Sequence, residues 1–198
     1  MASRRAADVR SAKASAERRG EEGVALVMAM FAVLVLSAVG AGLMLSATIE
    51  TMIASHFKTS RELRYATESL LDRSVRELGA TADWSPVAAG IAHSTFVDGV
   101  PGVRVLPDGS ALDLEHLDAV EPGWRLFAYG PLGALLPGSG ASPGYLLVLG
   151  SGVKAGEGRL ILEARGFGPR GARQVVQAVV AQVDRPPGVR VLSWRVSP

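Results

Sequence analysis

The residues able to do chemistry are few in this chain and scattered. His56, His93 and His116 lie far apart, with neither His-x-x-x-His spacing nor paired carboxylates around them, so zinc-centred hydrolysis has no ligand set to draw on. Asp108, Asp113, Glu115, Asp118 and Glu121 form the densest acidic stretch. Carboxylates of this kind can chelate Ca²⁺, but the alternating acidic pattern of a calcium loop is missing. The segment Gly150-Ser151-Gly152-Val153-Lys154-Ala155-Gly156 combines glycine with lysine, yet lacks the spacing of a phosphate-cradling loop that opens a helix. Ser37, Ser46 and the later serines have no His/Asp context for nucleophilic catalysis. With no Cys in 198 residues, thiol nucleophiles, thiolate metal sites and disulfides are all excluded. The chain reads as a non-enzyme holding neither metal nor cofactor, whose work is binding.

What organises the chain is an apolar stretch. Gly23 to Ile49, GVALVMAMFAVLVLSAVGAGLMLSATI, runs twenty-seven residues without a charge. At ~1.5 Å rise per helical residue it crosses a bilayer core of ~30 Å with length to spare. Residues 1–22 carry six basic side chains (Arg4, Arg5, Arg10, Lys13, Arg18, Arg19), and only Lys58, Arg61 and Arg64 follow closely after the run. The positive-inside rule therefore puts the N-terminus in the cytoplasm and the remainder outside. The run is about twice as long as the ~7–15 apolar residues of a cleaved secretory signal.

Beyond Ile49 the pattern turns amphipathic. Ile49, Met52, Ile53, Phe57, Leu63, Ala66, Leu70, Leu71, Val75 and Leu78 recur at three- and four-residue steps, with charges between them, which predicts one helix continuing to about Leu78 with an apolar face for a sheet. Lys58 with Glu62, Arg64 with Glu68 and Asp72 with Arg76 sit at the i,i+4 spacing that supports a helix. Gly40 and Gly42 mark the place where it can bend, and Gly79 with Pro86 ends it.

Three segments together, Gly23-Val24-Ala25-Leu26-Val27, then Glu50-Thr51-Met52-Ile53-Ala54, then Tyr65-Ala66-Thr67-Glu68-Ser69-Leu70-Leu71, resemble the N-terminal domain of minor type IV pilins of the PilX family. The resemblance covers roughly residues 18–79. It implies a leader over 1–23, cut after Gly23 by a prepilin peptidase that also methylates the Val24 amine. It further implies a membrane-spanning helix over 24–44, an amphipathic continuation over 45–79 and a β-rich domain over 80–198. The implied fold is α+β, a pilin-like roll in which a long transmembrane-to-periplasmic helix packs on an antiparallel sheet.

Two departures are informative. Glu21 and Glu22 precede the glycine where the family favours basic or polar residues, and Arg18-Arg19 precede Gly20 instead. Cleavage after Gly20 would leave two carboxylates at the membrane end of the helix, at ~2 kcal/mol or more each if charged at depth, so Gly23 is preferred. The fifth residue of the processed chain is Met28, where major pilins carry Glu. Such an absence resembles a subunit at the filament tip, and the resemblance implies a place in the complex that primes pilus assembly. Implied partners are other minor pilins, the major pilin, the inner-membrane assembly platform and a tip adhesin. Ala38, Gly40, Ala41 and Gly42 are the small residues through which helices would bundle. A type II secretion pseudopilin is the near alternative, and an unprocessed single-pass anchor carrying a periplasmic binding or sensor domain the more distant one. Motility, adhesion, DNA uptake and secretion are all served by such filaments.

The second half is strand punctuation. Strands are expected over Ser94 to Asp98, Val103 to Leu106, Trp124 to Tyr129, Tyr145 to Gly150, Arg159 to Phe167, Arg173 to Val183 and Val189 to Val196, with a loop over Thr81 to His93 or a short helix within it over Pro86 to Ala92. Arg159 to Phe167 and Arg173 to Val183 form the clearest hairpin, turning through Gly168-Pro169-Arg170-Gly171. Val176, Ala178 and Val180 share one face of the second strand and Val175, Val179 and Val183 the other, the mark of a central strand. Between strands, Gly130 to Gly144 is a Gly/Pro-rich loop whose Leu132, Leu135 and Leu136 are candidates either to dock on a neighbouring subunit or to fold back on their own core. The net charge of +2 is spread along the chain, which gives no warrant for nucleic-acid binding.

Overall fold

The computed structural model describes residues 2–135, 143–152, 158–184 and 187–197. It is an α+β protein in which one long helix, α1 (Ala2–Gly79), precedes short helices and antiparallel sheets. The chain divides into two units, Met1–Ala54 and Ser55–Pro198.

In the first unit every described side chain from Gly23 onward is exposed. The helix is long and apolar enough to cross a membrane, with a mean hydropathy of 2.6 over its most apolar 18 residues. Two threonine hydroxyls near the end of the apolar run are satisfied within the helix: Thr48 Oγ1 donates to Met44 O at 2.9 Å and Thr51 Oγ1 to Ala47 O at 2.8 Å. Such back-bonding removes the cost of an unsatisfied hydroxyl in an apolar setting.

In the second unit five strands form one meander, β3 (Arg125–Pro131), β4 (Tyr145–Gly152), β5 (Arg159–Phe167), β6 (Arg173–Asp184) and β7 (Pro187–Ser197), each antiparallel to the next. The rest of α1 lies on one face of it. Leu63, Ala66, Leu70, Leu71, Val75 and Leu78 are buried against Leu146, Val148, Leu160, Leu162, Ala164, Val176, Ala178 and Val180. The three- and four-residue steps of the helix meet the two-residue steps of the strands, as the apolar pattern of each requires.

Close approach depends on small residues. A Cβ on Gly166 of β5 would stand 2.3 Å from Thr67 Oγ1 and 3.0 Å from Leu63 Cδ1. Thr67 and Ser74, both fully buried, turn their hydroxyls onto Leu63 O and Leu70 O. The last turn of α1 is closed by Trp84, whose Nε1 donates to Leu78 O at 3.0 Å. Pro86 then sits in the first turn of α2 (Ser85–Ala88), where its missing N–H costs nothing.

The opposite face of the meander is only partly covered. The hairpin of β1 (Val103–Val105) and β2 (Ala111–Asp113), followed by α3 (Leu117–Val120), lies over β3 to β5. Leu106, Leu114 and Leu117 pack there on Leu126, Tyr129, Tyr145, Leu147, Leu149 and Phe167. Polar ties hold this cover at its two ends. Arg104 donates to Asp98 and to Val100 O, and Tyr145 OH donates to Asp98 Oδ1 at 3.1 Å; burial and the Asp98 carboxylate push the Tyr145 hydroxyl above its ordinary range. At the other end Arg165 of β5 clasps Glu121 with two nitrogens and Glu163 through Nε at 2.7 Å. The Arg165 hydrogen bonds lower the Glu121 carboxyl below the usual carboxylate range.

Three expectations are corrected. Ser94 to Asp98 is not a strand: Ser94 Oγ accepts from Phe96 N at 3.0 Å, a local turn that competes with a ladder, and the segment's pairing with β3 goes no further than an isolated parallel bridge, Val97 to Tyr129, and a backbone bond from Ser94 to Phe127. The helix expected to reach Ala92 stops at Ala88. The loop from Gly130 to Gly144 begins inside β3 and then forms α4 (Leu132–Leu135); residues 136–142 lie outside the described residues.

Replacing Gly166 by Ala should lower the melting temperature of the detergent-solubilised full chain, by the equivalent of about 1–3 kcal/mol, the usual cost of overpacking a core. Gly133→Ala, in α4 where nothing lies within 4 Å of the new methyl, should leave it unchanged within about 0.5 kcal/mol. Thermal denaturation followed by circular dichroism checks both. For Glu121 the folded pKa is lowered, so its stabilisation is complete above the ordinary carboxylate pKa of ~4.3 and fades as pH falls through the lower folded value. Glu121→Gln should therefore lower stability most above about pH 5 and converge on the wild type toward pH 3, as read from melting curves across that range.

Candidate functional site

The groups that could bind a partner begin with the apolar helix. Gly23 and Val24 lie in α1, and Val24 is exposed. Met28 is 69% exposed, and Ala38, Gly40, Ala41 and Gly42 are open on the helix surface, with nothing within 4 Å of either glycine's missing Cβ. Phe31, Leu34, Leu36, Leu43 and Met44 are as exposed as Met28. A stretch so apolar on all sides satisfies its backbone through helical bonds and needs a lipid or protein environment for its side chains.

Of the two fates open to Leu132, docking on a neighbour or folding back on its own core, its burial fits the second. Leu132 N donates to Gly144 O at 2.8 Å, tying the start of the loop to its end, and a Cβ on Gly144 would stand 2.8 Å from Leu132 Cδ1. The side chain is held inside, 1% exposed. Leu135 packs partly buried against the same core, and Leu136 lies outside the described residues.

The histidines and acids are not brought together. His56 Nε2 pairs with Arg170 Nη1 at 3.1 Å, His93 Nδ1 with Leu126 O at 3.0 Å, and His116 Nδ1 with Asp113 Oδ2 at 2.9 Å. Asp108 accepts from Ser110 N and Oγ, and Asp113 from Glu115 N. These carboxylates are pulled below their ordinary range by those bonds, first by Ser110 Oγ for Asp108 and by His116 for Asp113. Among the described residues no group of three His, Asp or Glu side chains is placed to hold a metal ion. A cleft of about 230 Å³ opens where the β1–β2 cover meets β3, lined by His93, Pro101, Leu114, Trp124 and Arg125 among others. Two of its polar side chains are already engaged by backbone, Arg125 Nη1 on Trp124 O and His93 on Leu126 O.

The sheet has two edges that differ sharply. Along β3 the segment after α2 closes the edge: Ser94 N donates to Phe127 O at 2.8 Å and Tyr129 N to Phe96 O at 3.0 Å. Arg73 and Glu77 of α1 pin that segment through Thr95. Burial raises the Glu77 carboxyl, but the Ser94, Thr95 and Arg73 bonds outweigh it and the net shift is downward. Along β7 no described element pairs on the outer side. That strand exposes Val191, Leu192 and Trp194 at 42–44%. It was legible as a strand but not as an edge, because nothing in its own residues states which neighbours a sheet will give it. Compared with known proteins, the chain matches no family model, no curated protein and no solved structure.

Proposed function

We propose that the chain is a minor-pilin-like subunit of a filament of the type IV pilus class, with a pilin-like roll. The observation that carries the reading is α1 itself: a helix fully exposed and apolar over its membrane-length stretch, which then buries a stripe from Leu63 to Leu78 under an antiparallel meander. A helix of that kind serves two environments in turn, lipid before assembly and neighbouring helices after it. The small residues Ala38, Gly40, Ala41 and Gly42 supply places for close helix contact. The basic residues before Gly23 hold the N-terminus in the cytoplasm and leave the β domain in the periplasm.

On this reading a prepilin peptidase cuts the Gly23–Val24 bond and methylates the new amine. Met28 at the fifth position leaves no carboxylate to meet a neighbour's amine, which suits the tip of a filament, with the assembly platform, other pilins and a tip adhesin as partners.

Intact mass of the protein purified from membranes tests the proposal. In cells with the peptidase the mass should fall by residues 1–23 and rise by one methyl group; without it the full-length mass should persist. Gly23→Leu should block the loss and Gly20→Leu should not. An unchanged mass in both cell types would leave a single-pass anchored domain instead.

A further inference from the structure

The free edge of β7 carries the next step. The meander has one edge closed by the Ser94–Val97 segment and one left unpaired, among the described residues, along Pro187–Ser197. An open edge offers a row of backbone donors and acceptors to another strand. β7 adds to them exposed Val191, Leu192 and Trp194, and two charges of one sign, Arg190 and Arg195, that have no acidic partner among the described residues. The surrounding chain is basic as well: residues 158–198 contain seven Arg against Glu163 and Asp184, and Glu163 is already held by Arg165.

These features discriminate between occupants. A second copy pairing β7 to β7 about a two-fold axis between Leu192 and Ser193 would set Arg190 opposite Arg195 twice, and like charges directly opposite are destabilising. The ladder to β6 also slips between Val179 and Val180, where Ser193 and Val191 are the partners and Leu192 is the extra residue. Such a bulge twists an edge away from long flat self-association. Neither device excludes a short strand of opposite charge.

We propose that β7 is a docking edge for an extended, acidic segment of another protein, which adds to the meander as a sixth strand and sets carboxylates against Arg190 and Arg195. Main-chain bonds give the affinity and the two arginines the choice of partner. The inference does not depend on cleavage at Gly23.

The test uses the full chain in detergent and a labelled synthetic peptide of alternating Glu and Val, with three comparison probes: the same peptide N-methylated at every residue, an alternating Lys/Val peptide, and a short DNA duplex. Fluorescence anisotropy should show binding of the Glu/Val peptide alone. Amide hydrogen exchange should slow over β7 and not over the β1–β2 hairpin. Arg190→Glu with Arg195→Glu should weaken the Glu/Val peptide about tenfold or more and admit the Lys/Val peptide, while exchange in β5 and β6 stays as in the wild type. Binding that survives N-methylation, protection elsewhere than β7, tighter binding of the DNA, or no binding of the Glu/Val peptide would each overturn the proposal.

Discussion

The contact on which the β domain depends is the approach of α1 to β5 at Gly166. There the backbone of the strand meets Thr67 and Leu63 so closely that a methyl group has no room. The same closeness brings Leu70, Leu71 and Leu78 into full burial. Large buried side chains of this kind contribute a few kcal/mol each, and that is lost when they are truncated. With no Cys in the chain, packing of this sort holds the domain without covalent help, so the spacing of one helix from one sheet is the quantity that the sequence must protect. Thr67 and Ser74 show how it does so: both are short, and both return their hydroxyls to the helix instead of leaving them unpaired in the core.

The sheet is treated differently on its two sides and at its two edges. One face is sealed by α1. The other is half covered, and the cover is held by charge as much as by leucine, through Asp98 with Arg104 and Glu121 with Arg165. The outer face of β6 is left half-buried, with Val175, Val179 and Val183 in a row, and β7 is exposed from Arg190 to Arg195. The closed edge at β3 and the open one at β7 complete the asymmetry.

Much of this was legible in the residues. The end of α1 at Gly79, the bounds of β5 and the alternation of Val176, Ala178 and Val180 follow from periodicity and turn chemistry. What escaped was short or tertiary. β2 has three residues, and its only signal was Pro107-Asp108-Gly109 ahead of it, a turn in which Gly109 takes a positive φ. α3 and α4 are single turns, below the length at which periodicity speaks. Leu132 was legible as apolar, with burial and docking equally open, because the choice between them depends on the Gly144 carbonyl twelve residues on. The cover over β3 to β5 was equally hidden, since its leucines read as loop residues until the sheet beneath them is known.

The meander has a kinetic side. Each of its strands pairs with the next in the chain, so the sheet can zip up hairpin by hairpin with small loop-closure costs. The helix that it needs is made first, yet the strand that receives Thr67 comes roughly a hundred residues later. Until β5 and β6 emerge, the apolar stripe from Leu63 to Leu78 has no sheet to lie on. Nascent chains of this protein therefore pass through a stage with a long greasy helix and no core, a stage in which chaperone capture or early membrane insertion competes with aggregation.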